Sequence, residues 1–358
     1  MKPAHTIARI AELAGVSTAT VSKVFNGRSD VAADTRAAVE EIMLAHGYRP
    51  RTRFVTAPLL ELVLHELAGP YAMEVIRGAR RAADAHRMAV VVSELAGGHA
   101  FDGKWVENAL LHRSRCVVAV LCGPTDEQRA RLAGRAIPVV QVDPLTEPGP
   151  EIPTVRAANH EGGLAATRHL LELGHRRIAA ITGPGGALSG RARLDGYRAA
   201  LLAAGIAPDP ALIREGDYQV EEGRRHTHRL LRLPDPPTAV FAGNDAQALG
   251  VYQAAYDLGL RVPDDLSVVG FDDLPPAVWV TPGLTTVRQP LADMAAEATL
   301  MAIGIARLEP PPHHRLVLPT SLVHRASTSH PPARHWHDGT RAARPADPPI
   351  PAHPSKEK

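Results

Sequence analysis

Seven short apolar runs between positions 59 and 272 constrain the fold more than any other feature of this chain. They are LLELVLHEL (59–67), MAVVVSEL (88–95), CVVAVLC (116–122), PVVQVD (138–143), RIAAITG (177–183), TAVFAG (238–243) and LSVVGFD (266–272). Between most of them lie segments of helical period, at 71–86, 160–173, 190–204, 221–232 and 245–258. Short buried strands joined by helices predict an α/β fold of parallel sheets with helices on both faces. Seven strands are too many for one five-stranded sheet and suit two similar lobes. The length of 358 residues leaves room for a further small unit beside them.

That unit precedes the strands. In TIARIAELA (6–14), Ile7, Ile10, Ala11 and Ala14 recur at helical spacing, with Thr6 placed to cap the helix and Gly15 to end it. A second helix is expected from Ser17 to about Phe25, burying Val21, Val24 and Phe25, with Asn26-Gly27 marking a turn. A third runs from about Ala33 to His46 and stops at Gly47, with Val39, Ile42 and Met43 inward. Residues 1–53 carry eight lysines and arginines against five carboxylates, a balance that suits a polyanionic partner. The whole chain, at a formal charge of +2, carries no such signal.

Segment 11–27, AELAGVSTATVSKVFNG, has the make-up of a helix-turn-helix. Ala11 is the small residue inside the first helix, Gly15 the turn, and Val16 and Val21 the apolar anchors. Ser17 offers a hydroxyl cap, and the free N–H groups there can meet a phosphate. Thr18, Ala19, Thr20, Ser22 and Lys23 make a short, polar outer face that fits a major groove.

From TIARIAELAG to AHGYRP (6–50), the chain closely resembles the headpiece of LacI/GalR transcriptional regulators. The resemblance implies base reading by Thr18, Ala19 and Lys23, and backbone or turn contacts by Thr6, Ser17, Thr20, Ser22 and Asn26. Lys23 offers a point charge and so a less directional preference for guanine than arginine's fork. Two departures stand out. Ala32 replaces the serine that usually caps the third helix. Only eight residues separate Pro50 from Leu59, with no segment resembling the family's hinge helix and its leucine wedge. Arg51 and Arg53 in this short basic connector are candidates for phosphate or minor-groove contacts.

Two further stretches, 238–274 and 282–298, resemble the family's periplasmic-binding-protein-like core. Polar residues follow its strands: Asn244 and Asp245 after TAVFAG, Asp143 after PVVQV, Asp272 after SVVGF. Open α/β sheets bind ligands at that edge, and carboxylates there suit hydroxyl-rich molecules. The resemblance adds Arg193, Tyr218 and Tyr71 as cleft residues. It implies a sugar effector between the lobes, a homodimer and a near-palindromic double-stranded DNA operator. No cofactor or metal is expected.

The expected organisation is a headpiece (1–50), a basic linker (51–58), an effector and dimerisation core (59–328) and a disordered Pro-rich tail (329–358). Within the core, the first lobe takes about 59–157 and 285–309, the second about 158–284 and 310–328. The tail's His330, His335, His337 and His353 lack a paired metal scaffold. Cys116 and Cys122, six apart, should share one strand face as reduced, buried thiols. The N-terminus lacks a signal-peptide core and no run approaches the length of a membrane span, which together with the reduced thiols points to the cytoplasm.

An enzyme is disfavoured by the lack of GxSxG, Walker A, GxGxxG and HExxH motifs. The glycines of TGPGGALSG (182–190) lack the lysine of a phosphate loop and suit a flexible loop near the cleft. A transporter's solute-binding protein, or a regulator without a small-molecule ligand, remain as alternatives.

Overall fold

The structure, a computed structural model, describes residues 6–25, 31–46, 58–95, 101, 103–149, 151–309 and 311–332. Three helices come first: α1 (Ile7–Leu13), α2 (Thr18–Phe25) and α3 (Ala33–Ala45). Ile10, Ala11, Val21, Val24 and Val39 form their buried centre, with Ala14, Val16, Ile42 and Met43 packed around it. Gly15 takes φ +63°, a left-handed conformation that ends α1 and turns the chain into α2.

The core then alternates strand and helix: β1 (Leu59–Leu64), α4 (Gly69–Ala85), β2 (Ala89–Glu94), α5 (Gly103–His112), β3 (Cys116–Val120), α6 (Asp126–Gly134), β4 (Val139–Val142) and β5 (Thr154–Ala157). After the crossing come α7 (Asn159–Glu172), β6 (Ile178–Thr182), α8 (Leu188–Ala203), β7 (Ile213–Glu215), α9 (Val220–Leu230), β8 (Ala239–Ala242), α10 (Asp245–Asp257) and β9 (Ser267–Asp272). The last elements are α11 (Pro276–Trp279), β10 (Thr285–Arg288), α12 (Leu291–Ala306), β11 (Arg315–Leu318) and β12 (Ser321–Val323).

Two six-stranded sheets result, ordered β11-β5-β4-β3-β1-β2 and β12-β10-β9-β8-β6-β7. Every pairing is parallel except β10 with β12. The strand period of two sends alternate residues to opposite helix layers. In the first lobe Leu60, Leu62, Leu64, Val118 and Val120 pack with Val75, Ala79, Met294 and Ala298 of α4 and α12. Val63, Val117 and Ala119 turn the other way, onto Trp105, Val106 and Leu132 of α5 and α6. The second lobe repeats the plan, with Ile181, Val240 and Val268 on one face and Ile178, Phe241 and Val269 on the other.

Two departures from expectation follow from pairing rather than local pattern. Thr285–Arg288, expected in the first lobe, is β10 of the second sheet, and only α12 after it returns to the first. Arg315–Leu318, expected in the second lobe, pairs with β5 in the first. The chain thus crosses between lobes after β5, after β10 and after β11. The two cysteines do not share a face either. Cys116 packs beside Leu60 and Val118, whereas Cys122 packs beside Val63 and Val117. β3 ends at Val120 and Leu121 takes φ +57°, which breaks the alternation between the thiols; both are free and buried.

Two residues expected in the tail are held by the core. Ser329 N–H donates to Ser267 Oγ at 3.0 Å and the His330 ring bonds Leu173 O at 2.8 Å, so both are tied to the second lobe. Residues 333–358, with His335, His337 and His353, lie outside the described residues. So do Asn26, Arg51 and Arg53. Among the described residues no helix is long and apolar enough to cross a membrane, and no cluster of His, Cys, Asp or Glu has the make-up of a metal site.

Candidate DNA-reading face and effector cleft

The headpiece presents most of the residues picked from its sequence along α2. Ser17 Oγ accepts from Thr20 N–H at 3.0 Å and lies 2.9 Å from Thr20 Oγ1, a cap that satisfies a free amide of the first turn. Val21 and Val24 point into the headpiece centre, which leaves Ser17, Thr18, Ala19 and Lys23 exposed and Thr20 and Ser22 half-buried. Thr6 is exposed one helix away and caps α1, accepting from Arg9 N–H at 3.4 Å. The third helix begins at Ala33, directly after the alanine that stands at the cap position.

In the core, the carboxyl ends of the strands converge between the lobes. Asp143 follows β4 and Asp272 ends β9, and both are about 5% exposed. Arg193 of α8 reaches them because α7 and α8 touch through glycines. A Cβ on Gly163 would sit 2.2 Å from Arg193 O, and one on Gly196 would sit 2.1 Å from His160 O. Each nitrogen of the Arg193 fork makes one hydrogen bond: Nε donates to Asn159 Oδ1 at 2.8 Å, Nη1 to Gly243 O at 2.6 Å and Nη2 to Gln289 Oε1 at 2.7 Å. Its plane stacks 3.7 Å over the Phe271 ring, and Tyr218 lies 5.8 Å away.

Gln289 joins the lobes. While its Oε1 holds Arg193, its Nε2 donates to Asp143 Oδ2 at 3.3 Å. Two polar atoms in the cleft are buried without a hydrogen-bond partner: the Tyr71 hydroxyl and Asp272 Oδ1. Such groups cost free energy until something pairs them. Burial pushes Asp143 up to about 6 and Asp272 up to about 7, with Arg193 opposing both shifts and Asp143 reinforcing that of Asp272. Burial, then Asp143 and Asp272, likewise raise Tyr71 well above the usual phenol range.

Strain gathers at the same place. Asp143 (φ +43°), Tyr218 (φ +68°) and Asp272 (φ +112°) all hold left-handed backbone that side chains rarely adopt, as ligand sites often do. Tyr218 also needs its neighbours to be small, since a Cβ on Gly183 would lie 1.9 Å from its ring. This gives Gly183 and Gly190 a packing role.

Asn244 and Asp245 are at the same edge but are spent on structure. Asn244 caps α10 through Gln247 N–H at 2.8 Å and donates to Tyr218 O. Asp245, 1% exposed, accepts from Thr286 Oγ1 at 2.5 Å and from Leu274 N–H at 2.8 Å. The structure therefore brings together Tyr71, Asp143, Arg193, Tyr218 and Asp272, and adds Asn159, Gln289 and Phe271, which sequence reasoning missed. Gln289 had one available signal, its place just after TTVR in a stretch already tied to the core.

Comparison with known proteins agrees with both kinds of domain. Residues 6–51 match the family model for bacterial regulatory proteins of the lacI family, and residues 167–328 match that for a periplasmic binding protein-like domain. The chain is 32% identical to the ribose operon repressor of Escherichia coli (strain K12) over 90% of its own length and 99% of the relative's. Among solved structures, it is similar to a transcriptional regulator CelR–cellobiose complex, at 33% identity and TM-score 0.69 over 90% of this chain and 99% of that one. It is also similar to the lac repressor dimer bound to operator and the anti-inducer ONPF, at 30% identity and TM-score 0.65 over 91% of this chain and 99% of that one. The chain belongs to the lacI family of bacterial regulatory proteins and is a DNA-binding transcriptional regulator built on a periplasmic-binding-protein-like core.

Proposed function

We propose that this regulator is a repressor whose operator affinity is set by an uncharged sugar bound between its lobes. The observation that carries the reading is the buried cleft. Asp143 and Asp272 present acceptors, the Tyr71 hydroxyl is unpaired, and the ring of Tyr218 lines one side. Vicinal hydroxyls satisfy such a set, since each can donate to a carboxylate and accept from a phenol. A negatively charged ligand has little to gain, because Asp143 and Asp272 stand against it and Arg193 already donates to Asn159, Gly243 and Gln289. Relatives point the same way, as the similar structures include one bound to cellobiose.

On the DNA side, Thr18, Ala19 and Lys23 read base edges, while Thr6, Ser17, Thr20, Ser22 and Asn26 hold the backbone or the turn. Arg51 and Arg53 add phosphate contacts. The protein acts as a homodimer on a near-palindrome, in the cytoplasm, by binding and without a catalytic step. Titration calorimetry with free sugars, ribose and cellobiose first, tests the cleft. A sugar that binds the wild type and not Asp272→Asn supports the reading; binding that ignores Asp143, Arg193 and Asp272 substitutions overturns it.

A further inference from the structure

Arg135 belongs to neither site. It follows α6 in the first lobe, yet its guanidinium Nη2 donates to the main-chain oxygen of Val24 in α2 at 2.7 Å, and it approaches Glu40 of α3 to 4.0 Å. Val24 O lies in the last turn of α2, where carbonyls have no partner inside the helix. A cation there also meets the negative end of the helix dipole. The side chain is only 15% exposed. Burial lowers it to about 10, with Glu40 opposing, so it stays charged at neutral pH.

The contact grips the headpiece from behind. Ser17, Thr18, Ala19 and Lys23 remain exposed with the core in place, although Lys23 shares the last turn of α2 with Val24. A contact that masked DNA binding would cover those side chains instead.

The short connector leaves such a contact a task. With only eight residues between Pro50 and Leu59, the connector has no room for a hinge segment and the strand approach together. Something else must hold the reading helix at a fixed angle to the core. Arg135 also sits where it can report on the cleft, because it leads through Ile137 into β4, and Asp143 stands at the other end of that strand.

We propose that Arg135 is a positioning residue that fastens the headpiece to the first lobe and orients its reading helix, the task a hinge segment would otherwise perform. The test uses the full-length protein as wild type, Arg135→Ala and Arg135→Lys, with an operator selected from random duplex DNA on the wild type. Amide hydrogen exchange is followed over 18–25 and 33–45 without DNA, and operator affinity is measured by anisotropy at one salt concentration.

Loss of one buried, charge-assisted hydrogen bond predicts faster exchange in both helices and operator affinity about tenfold weaker for Arg135→Ala. Affinity for unrelated duplex and the melting of the core should stay near wild type, and Arg135→Lys should recover most of the operator affinity, since it keeps a donor and the charge. Wild-type exchange and operator affinity in Arg135→Ala would overturn the proposal. So would a core that melts early in both variants, because the arginine would then serve the first lobe alone.

Discussion

Arg193 Nη1 and Asp272 Oδ1 stand 3.6 Å apart, each on a side chain at most 7% exposed, too far for a hydrogen bond and with no water-facing side. The arginine is charged, and the pair is buried and incompletely satisfied. Removing the arginine leaves Asp272 and Asp143 without their shared cation, and breaking such a buried pair typically costs about 3–5 kcal/mol. Arg193→Ala should lose stability on that scale in chemical denaturation. Arg193→Lys should not restore it, because a single ammonium cannot reach Asn159, Gly243 O and Gln289 at once. Near-wild-type stability of the alanine variant would show that the cleft relaxes around the loss.

The same carboxylates set a pH dependence. Asp143 at about 6 and Asp272 at about 7 bind protons more tightly in the fold than in the unfolded chain, chiefly through burial. Their contribution to stability is therefore complete at pH below about 4 and is lost as pH rises through 6 to 7. Between pH 5 and 8 the wild type should lose stability that an Asp143→Asn, Asp272→Asn double variant keeps. A sugar that donates hydroxyls to the ionised carboxylates should release protons on binding near pH 6.5, visible in calorimetry as a heat that depends on the buffer.

Tyr218 and Gly183 offer a substitution that separates the two functions. A methyl group on Gly183 meets the tyrosine ring at 1.9 Å, so Gly183→Ala must push Tyr218 out of place. Sugar affinity should fall at least about tenfold, the scale of one lost aromatic contact, while operator binding without sugar is unchanged. Equal sugar affinity in both proteins, measured by calorimetry, would place Tyr218 outside the ligand site.

Burial pushes both thiols up to about 12, on opposite faces of the first sheet. Neither Cys116 nor Cys122 should react with a thiol reagent in the native protein at pH 8, since the thiolate is the reactive form. Both should react fully in denaturant. Rapid labelling of one cysteine in the native state would mean that the first lobe opens there.

Much of this architecture was legible in the sequence, and the limits have physical causes. The headpiece could be read because within each helix apolar residues recur three or four apart, as Ile10 with Ala14, Val21 with Val24, and Val39 with Ile42 and Met43. The central strands could be read because runs such as Val117–Val120 are buried on both faces. Lobe membership of β10 and β11 could not, because nothing local in Thr285–Arg288 or Arg315–Leu318 names the distant strand each pairs with. The strand-end rule placed Asn244, Asp245 and Asp272 at one edge. It could not say that Thr286 and Leu274 take both oxygens of Asp245 while Asp272 Oδ1 is left without a hydrogen bond. Gln289 was missed because its role exists only where two lobes meet.

The central claim is that α2 reads an operator and that the cleft governs how tightly. Fluorescence anisotropy of the full-length protein on a duplex selected from random DNA tests it most directly, across several salt concentrations, with Lys23→Ala alongside and ribose or cellobiose added. The account predicts saturable binding to a near-palindrome, weakened by Lys23→Ala, and a midpoint that shifts with a sugar that also binds the isolated cleft by calorimetry. Weak binding that ignores sequence, is untouched by Lys23→Ala and does not respond to any sugar would contradict it.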